Sequence, residues 1–355
     1  MAKYDFMSFG EAMVRMNPPA NDRFYQTEVL QLGIAAAELN CCVNISNLSV
    51  KLQKPKLKTA YVTKFVDRWD AYYIIKHAQA YGVDMSNVVV DPYDKIGKVR
   101  NGICFIEMGI GPRPSYQMYD RGHSAVSLIK PGDIDWEKVL DTRWFHSTGI
   151  ITAVGEYTAQ EVGAALKAAK KNGATTSFDL NYRHTLWSQE RARDTMKELM
   201  PYIDVIIGNE EDFATMLDIH AEGVDANFSK IDPESYRGVA AKVMEKYPNV
   251  QVVGNSLREV KSALLNNWRV VMMTKNGYFI SRKYDDIEIY DRVGGGDSFA
   301  SALIWGFLEG HDEQDIIEFA GAYSAMCHTV RNDWNLVTNE EAMDLMKGGS
   351  ARVKR

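Results

Sequence analysis

The stretch DRVGGGDSFASALIWGFLEG, residues 291–310, places three consecutive glycines and an aspartate directly before a segment with helical character. Residues 286–291, DIEIYD, have the pattern of a strand. Glycines let consecutive backbone N–H groups point at one place, and the dipole of the following helix adds partial positive charge there. In an α/β sheet such a turn is expected at the carboxyl end of a strand, where ligands usually bind. The stretch therefore predicts an anion site at Gly294, Gly295 and Gly296.

Asp297 stands at the start of the predicted helix, and two roles fit it. Aspartate is a common helix N-cap, and a glycine pair is common in turns. A cap does not need three glycines, however, and a carboxylate beside an anion site is electrostatically unfavourable unless it has a chemical function. A positioned carboxylate can accept a hydroxyl proton during phosphoryl transfer while the glycine N–H groups stabilise the developing charge. We therefore predict that Asp297 is a general base.

Motifs of other phosphate-binding and cofactor-binding proteins do not occur in the sequence. There is no G-x-x-x-x-G-K-[ST] loop, and no G-x-G-x-x-G follows the first predicted strand. The paired H-R-D and D-F-G motifs of protein kinases are also missing. These observations disfavour a Walker-type nucleotidase, a dinucleotide oxidoreductase and a protein kinase.

Strand-like and helix-like segments alternate outward from this stretch. Buried strands are predicted at TRWFHSTG, ATTSFDLN, YIDVIIGN and NVQVVGNS, with helices at 37–52, 68–82, 155–173 and 232–248. The alternation predicts an α/β fold: a doubly wound, mainly parallel sheet with helices on both faces. Residues 11–33 and 97–121 break it with short strands and turns. We predict that these two segments form a small β-sheet lid over a cleft, within a single domain spanning 1–355.

The bulk composition excludes several classes of partner. Over 355 residues the formal net charge is −6 and no long Lys/Arg block occurs, so nucleic acid is not expected as a partner. No apolar run reaches the length of a membrane span, and the N-terminus has no signal-peptide pattern. The four cysteines form no C-x-x-C pair, and no H-E-x-x-H occurs. We expect reduced thiols, a cytoplasmic protein and no zinc site.

DRVGGGDSFASALI resembles the C-terminal signature of the ribokinase-like sugar kinases, the pfkB carbohydrate kinase family. Within that family the sequence is most similar to the 2-keto-3-deoxygluconate kinases. Further segments resemble the family, occur in family order and cover nearly the whole chain: FGEAMVRMNPP (9–19), AELN (37–40), YDRGHSA (119–125), FDLNYRHTLW (178–187), GNEEDF (208–213), SLREVKSALLNNW (256–268) and NDWNLVTNEE (332–341).

The resemblance implies a ribokinase-like fold, ATP as the phosphoryl donor and Mg²⁺ to neutralise its phosphates. It implies Asp297 as the catalytic base, with Gly294, Gly295, Gly296 and the Asp297 amide as the anion hole. Sugar-acid members of the family hold their substrate through a Y-x-R motif on the lid and an arginine after the D-x-N strand. The substrate-binding positions implied here are Gly33, Asn40, Tyr119, Arg121, Arg183 and Asp333.

A guanidinium fork suits the carboxylate of a sugar acid, which agrees with these arginines. On spacing alone, however, an exposed strand whose side chains reach solvent is the simpler interpretation of Tyr119 and Arg121. A surface ion pair is the corresponding alternative for Arg183, and a turn for Asp333. Arg183 directly follows a predicted strand, which favours a role in a site.

The resemblance also implies a nucleotide site and a metal site. GNEEDF resembles the family's N-x-x-E motif, linked to Mg²⁺ and phosphate, through Asn209 and Asp212, with aspartate at 212 where the motif expects glutamate. A capped helix start explains the same residues. Ser256 and Arg258 are expected in a nucleotide loop that follows a strand. The ATP-binding positions implied are Asn181, Asn209, Ser256, Arg258, Gly294 and Gly296.

Several positions depart from the family pattern. Ala35, Ala36 and Ala37 stand where glycines are usual, so the sugar-facing signature is altered while the phosphate-facing one is intact. Three hypotheses follow: a sugar-acid kinase, a kinase of another ketose or polyol such as fructose, and a non-catalytic sugar or nucleotide sensor. The resemblance further implies a homo-oligomer joined through the lid as one possible assembly.

Overall fold

The structure, a computed structural model, describes residues 2–50, 56–209, 211–221 and 232–349. The end of the predicted helix 37–52 and Glu210 of the GNEEDF motif lie outside the described residues. No helix in the described part of the chain is long and apolar enough to cross a membrane. All four cysteines belong to that part and are buried and unbridged, which fits the predicted reduced thiols.

Strands and helices alternate through the chain. The strands are β1 (Tyr4–Phe9), β2 (Met13–Asn17), β3 (Gln31–Ala35), β4 (Thr59–Val62), β5 (Lys64–Val66), β6 (Val83–Asp84), β7 (Val89–Asp91), β8 (Ile103–Glu107), β9 (Tyr116–Asp120), β10 (Thr142–Thr148), β11 (Thr175–Asp179), β12 (Val205–Gly208), β13 (Val252–Ser262), β14 (Leu265–Thr274), β15 (Gly277–Ile280) and β16 (Tyr284–Glu288). The helices are α1 (Ala37–Leu48), α2 (Trp69–Ala80), α3 (Trp136–Val139), α4 (Gly149–Val154), α5 (Thr158–Lys171), α6 (Gln189–Leu199), α7 (Asp212–Leu217), α8 (Pro233–Lys246), α9 (Gly295–Glu309), α10 (Glu313–Cys327) and α11 (Asn339–Met346).

The main sheet has ten strands in the order β15-β14-β13-β12-β11-β10-β1-β4-β6, and β16 pairs with β14 beside this path. Neighbours from β13 to β6 are all parallel, whereas β14 pairs antiparallel with β13, β15 and β16. The predicted mainly parallel α/β sheet is confirmed.

Two hydrophobic clusters cover the two faces of this sheet, which is why its strands read as continuous apolar runs. Consecutive strand residues alternate between the clusters: Phe6 and Trp144 belong to one, and Met7 and Phe145 to the other. Each fully buried side chain of this kind contributes about 1.5–3 kcal/mol relative to an exposed one. The predicted placement of helices on both faces follows from this alternation.

A second sheet has four strands in the order β3-β2-β8-β9. It is built from the two segments in which the helix–strand alternation breaks down, and β2 and β8, its central strands, pair in parallel. The predicted small second sheet is therefore confirmed. Its strand β3 continues to Ala35, two residues beyond the predicted segment 11–33, and leads directly into α1.

The prediction for the strand before the glycines is wrong in one respect. That strand, β16, ends at Glu288 and pairs antiparallel at the edge of the main sheet, so the glycine turn does not follow a parallel strand. The DIEIYD pattern alternates apolar and polar residues, which is typical of a half-exposed antiparallel strand. The helix α9 also begins two residues earlier than predicted, at Gly295, and ends as predicted before Gly310, whose φ is 75°.

Candidate functional site

A cleft of about 490 Å³ lies between the small sheet and the carboxyl ends of β11 and β12. The start of α9 forms part of its wall. The structure brings most of the predicted positions together on this cleft: Tyr119, Arg121, Asn181, Arg183, Asn209, Asp212, Ser256, Arg258, Gly294, Gly295, Gly296, Asp297 and Asp333. Gly33 and Asn40 are buried behind the wall and do not line it.

Gly294 is the N-cap of α9 and has a left-handed backbone, with φ of 89°. A Cβ atom at this position would lie 2.3 Å from the main-chain oxygen of Asp333. Both the backbone conformation and the close approach therefore require glycine. The carbonyl of Gly294 accepts the N–H of Ser298, and the N–H groups ahead of Ser298 have no partner within the helix. These N–H groups lie at the cleft wall, in an arrangement suited to an anion.

Asp297 lies in the first turn of α9 and is half-buried. No side chain caps this helix, so the alternative interpretation of Asp297 as an N-cap is wrong. Its Oδ2 atom accepts a hydrogen bond of 2.6 Å from Asn40 Nδ2. Burial raises the pKa of Asp297 to about 7, and nearby Asp333 adds to this, whereas Asn40 and Arg183 act in the opposite direction. A carboxylate with a pKa near neutrality is suited to general base catalysis.

Glu38 is a cleft residue that the sequence analysis missed, although it lies in the quoted AELN segment. Its carboxyl group is buried, lines the cleft and accepts a hydrogen bond of 2.6 Å from Thr148 Oγ1. Burial raises the pKa of Glu38 to about 8, and Asp297 adds to the rise. Glu38 is therefore largely protonated at neutral pH and can donate a hydrogen bond. The acidic first turn of α1 gave it the pattern of an ordinary helix start.

Strand β9 is largely exposed, as the alternative interpretation expects, but Arg121, directly after it, is nine-tenths buried and does not reach solvent. Its guanidinium lies 4.5 Å from the centre of the Tyr119 ring and 3.4 Å from the carboxylate of Glu11. Its Nε and Nη1 atoms are buried without a hydrogen bond. Glu11, a second residue that the sequence analysis missed, accepts a hydrogen bond from Ser124 Oγ. Nη1 is the atom that faces Glu11, so the guanidinium keeps its free hydrogen-bonding capacity at Nε.

Asn181 and Arg183 follow β11 at its carboxyl end, as predicted. Asn181 adopts a left-handed conformation with φ of 40°, which turns the chain along the cleft. Arg183 donates to the carbonyl of Tyr182, and its charge acts on both Asp179 and Asp297. Arg183 therefore supplies a positive charge close to both of these carboxyl groups.

Asn209 and Asp212 form the capped helix start that the sequence analysis left open. Asn209 Oδ1 accepts the N–H groups of Glu211 and Asp212, and Asp212 Oδ2 accepts the N–H of Asn209. Asp212 Oδ1 accepts the N–H of Tyr182. Both oxygens of Asp212 therefore hold the ends of β11 and β12 in place, and their role toward a metal stays a prediction.

Mg²⁺ can be tested against the acidic groups of the cleft. Among the described residues, no three His, Cys, Asp or Glu side chains come together as a ligand set. Asp179 lines the cleft, and burial, with Asp212 and Asp297 nearby, raises its pKa well above the usual range. Mg²⁺ usually keeps several waters and is held by one or two carboxylates together with phosphate oxygens. Asp179 is a carboxylate of this kind on the cleft, whereas both oxygens of Asp212 already accept backbone N–H groups.

Ser256 and Arg258 lie within β13, so the prediction that they occupy a loop after a strand is wrong. β13 continues to Ser262 because β14 pairs with it along its length, with Arg258 opposite Trp268. Arg292, next to the glycine turn, also lines the cleft. Burial lowers the pKa of Arg292, and the charge of Arg258 lowers it further. Two cations thus share the end of the cleft nearest the start of α9.

The three alanines of the predicted sugar-facing signature are accommodated without backbone strain. Ala35 ends β3, Ala36 is extended with φ of −170°, and Ala37 begins α1. An extended residue does not need the conformational freedom of glycine. All three line the cleft, so their methyl groups change its shape and not the path of the chain.

The chain is similar to known proteins in both sequence and structure. Residues 5–338 match the model of the pfkB family carbohydrate kinases. A 2-dehydro-3-deoxygalactonokinase of Haloferax volcanii is 27% identical over 352 residues, which cover 99% of each chain. A 2-dehydro-3-deoxygluconokinase of Thermoproteus tenax is 24% identical and covers 98% of this chain and 95% of its own.

Among solved structures, the 2-dehydro-3-deoxygluconokinase of Thermotoga maritima superimposes with a TM-score of 0.89 and is 38% identical. The similarity covers 97% of this chain and 100% of that one.

Proposed function

Because the chain belongs to the pfkB family of carbohydrate kinases, we propose that it transfers the γ-phosphate of ATP to the primary hydroxyl of a 2-keto-3-deoxy sugar acid. With 2-keto-3-deoxygluconate as the acceptor, the product is its 6-phosphate. The observation that carries the proposal is Asp297, a carboxylate with a pKa of about 7 that adjoins the free N–H groups of the glycine turn on one cleft.

In the proposed reaction, Asp297 accepts the proton of the sugar hydroxyl as its oxygen bonds to the γ-phosphorus. The bond between that phosphorus and the bridging oxygen breaks, and ADP leaves. The N–H groups of Gly294, Gly295 and Gly296 hold the negative charge on the transferring group. Asp179 would hold Mg²⁺, and the bound ion would neutralise the charge of the phosphates. Asn40 holds the carboxylate of Asp297 toward the cleft.

The preference for a sugar acid is supported by the arginines of the cleft. Arg121 keeps buried N–H groups without hydrogen bonds, and Arg183 lies near the catalytic carboxylate. A carboxylate can accept two parallel hydrogen bonds from one guanidinium, whereas a sugar hydroxyl cannot balance its charge. The relatives described above are named as kinases of 2-dehydro-3-deoxy sugar acids, which agrees with this assignment.

An ADP-release assay over a panel of acceptors tests the proposal. We expect the highest kcat/KM with 2-keto-3-deoxygluconate or its galactonate epimer, and a value about 100-fold lower for fructose, which has no carboxylate. A preference for fructose would contradict the sugar acid as the acceptor but would leave the kinase activity supported. Thermal stabilisation by sugar or ATP, without ADP release on any acceptor, would instead indicate a sensor.

The small sheet also supports a proposal about assembly. Its two edge strands expose apolar side chains, with Leu32 on β3 and Tyr116 and Met118 on β9. We propose that two chains associate through this sheet. Light scattering tests this: Met118→Asp should convert a dimer to a monomer, while a wild-type monomer at micromolar concentration would contradict it.

A further inference from the structure

Arg15 is a fully buried arginine at the centre of the small sheet, on β2. In the sheet it stands opposite Gly33 on one side and Cys104 on the other. Its Nη1 atom donates to Asp333 Oδ1 at 2.7 Å, and its Nη2 atom donates to Asp291 Oδ2 at 2.6 Å. One guanidinium therefore joins two carboxylates that are far apart in the sequence.

The two carboxylates hold the segments on either side of the glycine turn. Asp291 Oδ1 accepts the N–H of Val293, and Asp291 Oδ2 accepts the N–H of Asn332. The main-chain oxygen of Asp333 lies so close to Gly294 that no Cβ fits between them. The turn is thus enclosed by Asp291 on its N-terminal side and by Asp333 on its outer side.

The small sheet touches the same segment at a second point. A Cβ atom at Gly33 would lie 2.9 Å from Asn332 Oδ1, so β3 packs closely on the residue before Asp333. Arg15 and Gly33 thus contact adjacent residues of one segment, Asp333 and Asn332. The small sheet and the glycine turn are consequently in direct contact through Arg15 and the 332–333 segment.

Stability alone does not account for this arrangement. Removing three charged groups from water is costly, and well-packed apolar residues often stabilise a core as well as a buried ion pair does. The triad carries one positive and two negative charges, and the Nε atom of Arg15 has no hydrogen bond. What a guanidinium provides is a planar fork that fixes the distance and direction between two carboxylates.

We propose that Arg15 is a positioning residue that sets the geometry of the glycine turn from the small sheet. This inference rests on the proposed kinase function for its effect on turnover, but its structural part does not. Arg15 contacts neither sugar nor nucleotide in this account. It acts through Asp291 and Asp333, which hold the backbone N–H groups of Gly294 to Asp297 at the positions that the transferring phosphate requires.

Arg15→Lys is the first test, because lysine keeps the charge but cannot bridge two carboxylates with a rigid fork. Hydrogen–deuterium exchange in the unliganded protein reports on the backbone directly. We expect exchange of a peptide covering 290–298 to rise at least about tenfold. Exchange of α5, at 158–171 on the opposite face of the main sheet, should stay at the wild-type level.

Arg113→Lys is the matched control. Arg113 pairs with Glu107 of β8 at 2.6 Å, so this change weakens an ion pair of the same sheet that does not reach the turn. We expect it to leave exchange at 290–298 unchanged. In the ADP-release assay, kcat of Arg15→Lys should fall about 10- to 100-fold with the KM for ATP within threefold, and kcat of Arg113→Lys should stay within twofold.

Unchanged exchange at 290–298 in Arg15→Lys, or an equal rise throughout the chain including α5, would overturn the proposal. Asp291→Asn tests it independently should Arg15→Lys not fold, because it keeps the shape of the side chain and weakens one arm of the fork. The same local rise in exchange is expected there, and its absence would count against the proposal. A local rise in exchange in Arg15→Lys, together with no ADP release by the wild-type protein with any acceptor, would support the positioning role and refute the kinase function.

Discussion

The two sides of the cleft are built in different ways. In the proposed mechanism, the phosphate-facing side is the turn from Gly294 to Asp297, in which contiguous backbone N–H groups and one carboxylate supply the chemistry. The sugar-facing side is built from side chains that separate segments contribute, such as Arg121 beside Glu11. A backbone site depends on one local conformation, whereas a side-chain site depends on how distant segments pack. The first therefore tolerates little substitution, and the second can change residue by residue.

The glycines illustrate this difference. Gly294 has a positive φ and lies against the backbone of Asp333, so no larger residue fits at this position. Ala36, where the family usually has glycine, is extended and accepts its methyl group without strain. Substitutions on the two sides should consequently have different signatures. Changes in the turn should reduce kcat, and changes on the sugar side should mainly raise the sugar KM.

The largest effect is expected for Asp297→Asn, which removes the proposed base and keeps the shape of the side chain. We expect kcat to fall about 1,000-fold in the ADP-release assay. Asp315→Asn is the control, because Asp315 also lies in the first turn of a helix but is exposed and remote from the cleft. An Asp297→Asn enzyme with near wild-type kcat would remove the base from the mechanism.

Asp297→Asn should also stabilise the protein at higher pH. The pKa of Asp297 is about 7 in the folded state, against an ordinary aspartate pKa of about 4, so the folded state holds a proton that the unfolded chain releases. The free energy of unfolding therefore falls as pH rises through this window. Because Asp297 is only half-buried, we expect a gain of about 1–2 kcal/mol at pH 8. Denaturant unfolding at pH 4 and pH 8 measures it, and a gain confined to pH 4 would contradict this sign.

The next effect in size is expected for Gly294→Ala. The methyl group would meet the oxygen of Asp333 and displace the N–H groups, so kcat should fall about 100-fold and the free energy of unfolding by about 2–3 kcal/mol. Gly310→Ala is the matched control: its φ is 75°, and its Cβ would meet no atom within 4 Å. That variant should lose only about 1 kcal/mol of stability. Equal loss of kcat in both would show that backbone strain alone is responsible.

On the sugar side, Arg121→Ala should act mainly on binding. We expect the KM for the sugar acid to rise about 10- to 30-fold, corresponding to a loss of about 1.5–2 kcal/mol, with the KM for ATP within twofold. Arg113→Ala provides the comparison within the same sheet and should change neither KM. A parallel rise in both KM values for Arg121→Ala would indicate a general collapse of the small sheet.

The smallest effect is expected for Asn40→Ala. Asn40 donates a hydrogen bond to the ionised Asp297 and so lowers its pKa. Without that donor the pKa rises, and the acid limb of the kcat/KM profile should move up by about 0.5–1 pH unit. The acid limb reports the titration of several interacting groups rather than of Asp297 alone, since Glu38, Asp333 and Arg183 also face Asp297. A limb that stayed in place or moved to lower pH would contradict the role of Asn40.

The same difference between the two sides explains what the sequence could predict. The main sheet and the glycine turn follow from local patterns: apolar runs specify buried strands, and consecutive glycines before a helix specify an anion site. Arg15 and Asp333 are 318 positions apart, so no local pattern shows that one binds the other. Glu38 sits in an acidic first turn of a helix, and only its burial against Thr148 distinguishes it from a solvent-exposed residue. The sequence predicts a loop at Ser256 and Arg258, because nothing within β13 indicates that β14 pairs with it in the antiparallel direction.

A crystal structure with a non-hydrolysable ATP analogue and the sugar acid tests the central claim most directly. The account predicts the terminal phosphate within about 3 Å of the backbone nitrogens of Gly294 to Asp297, with the acceptor hydroxyl at a similar distance from the Asp297 carboxylate. A terminal phosphate bound elsewhere in the cleft, with that hydroxyl out of reach of Asp297, would contradict it.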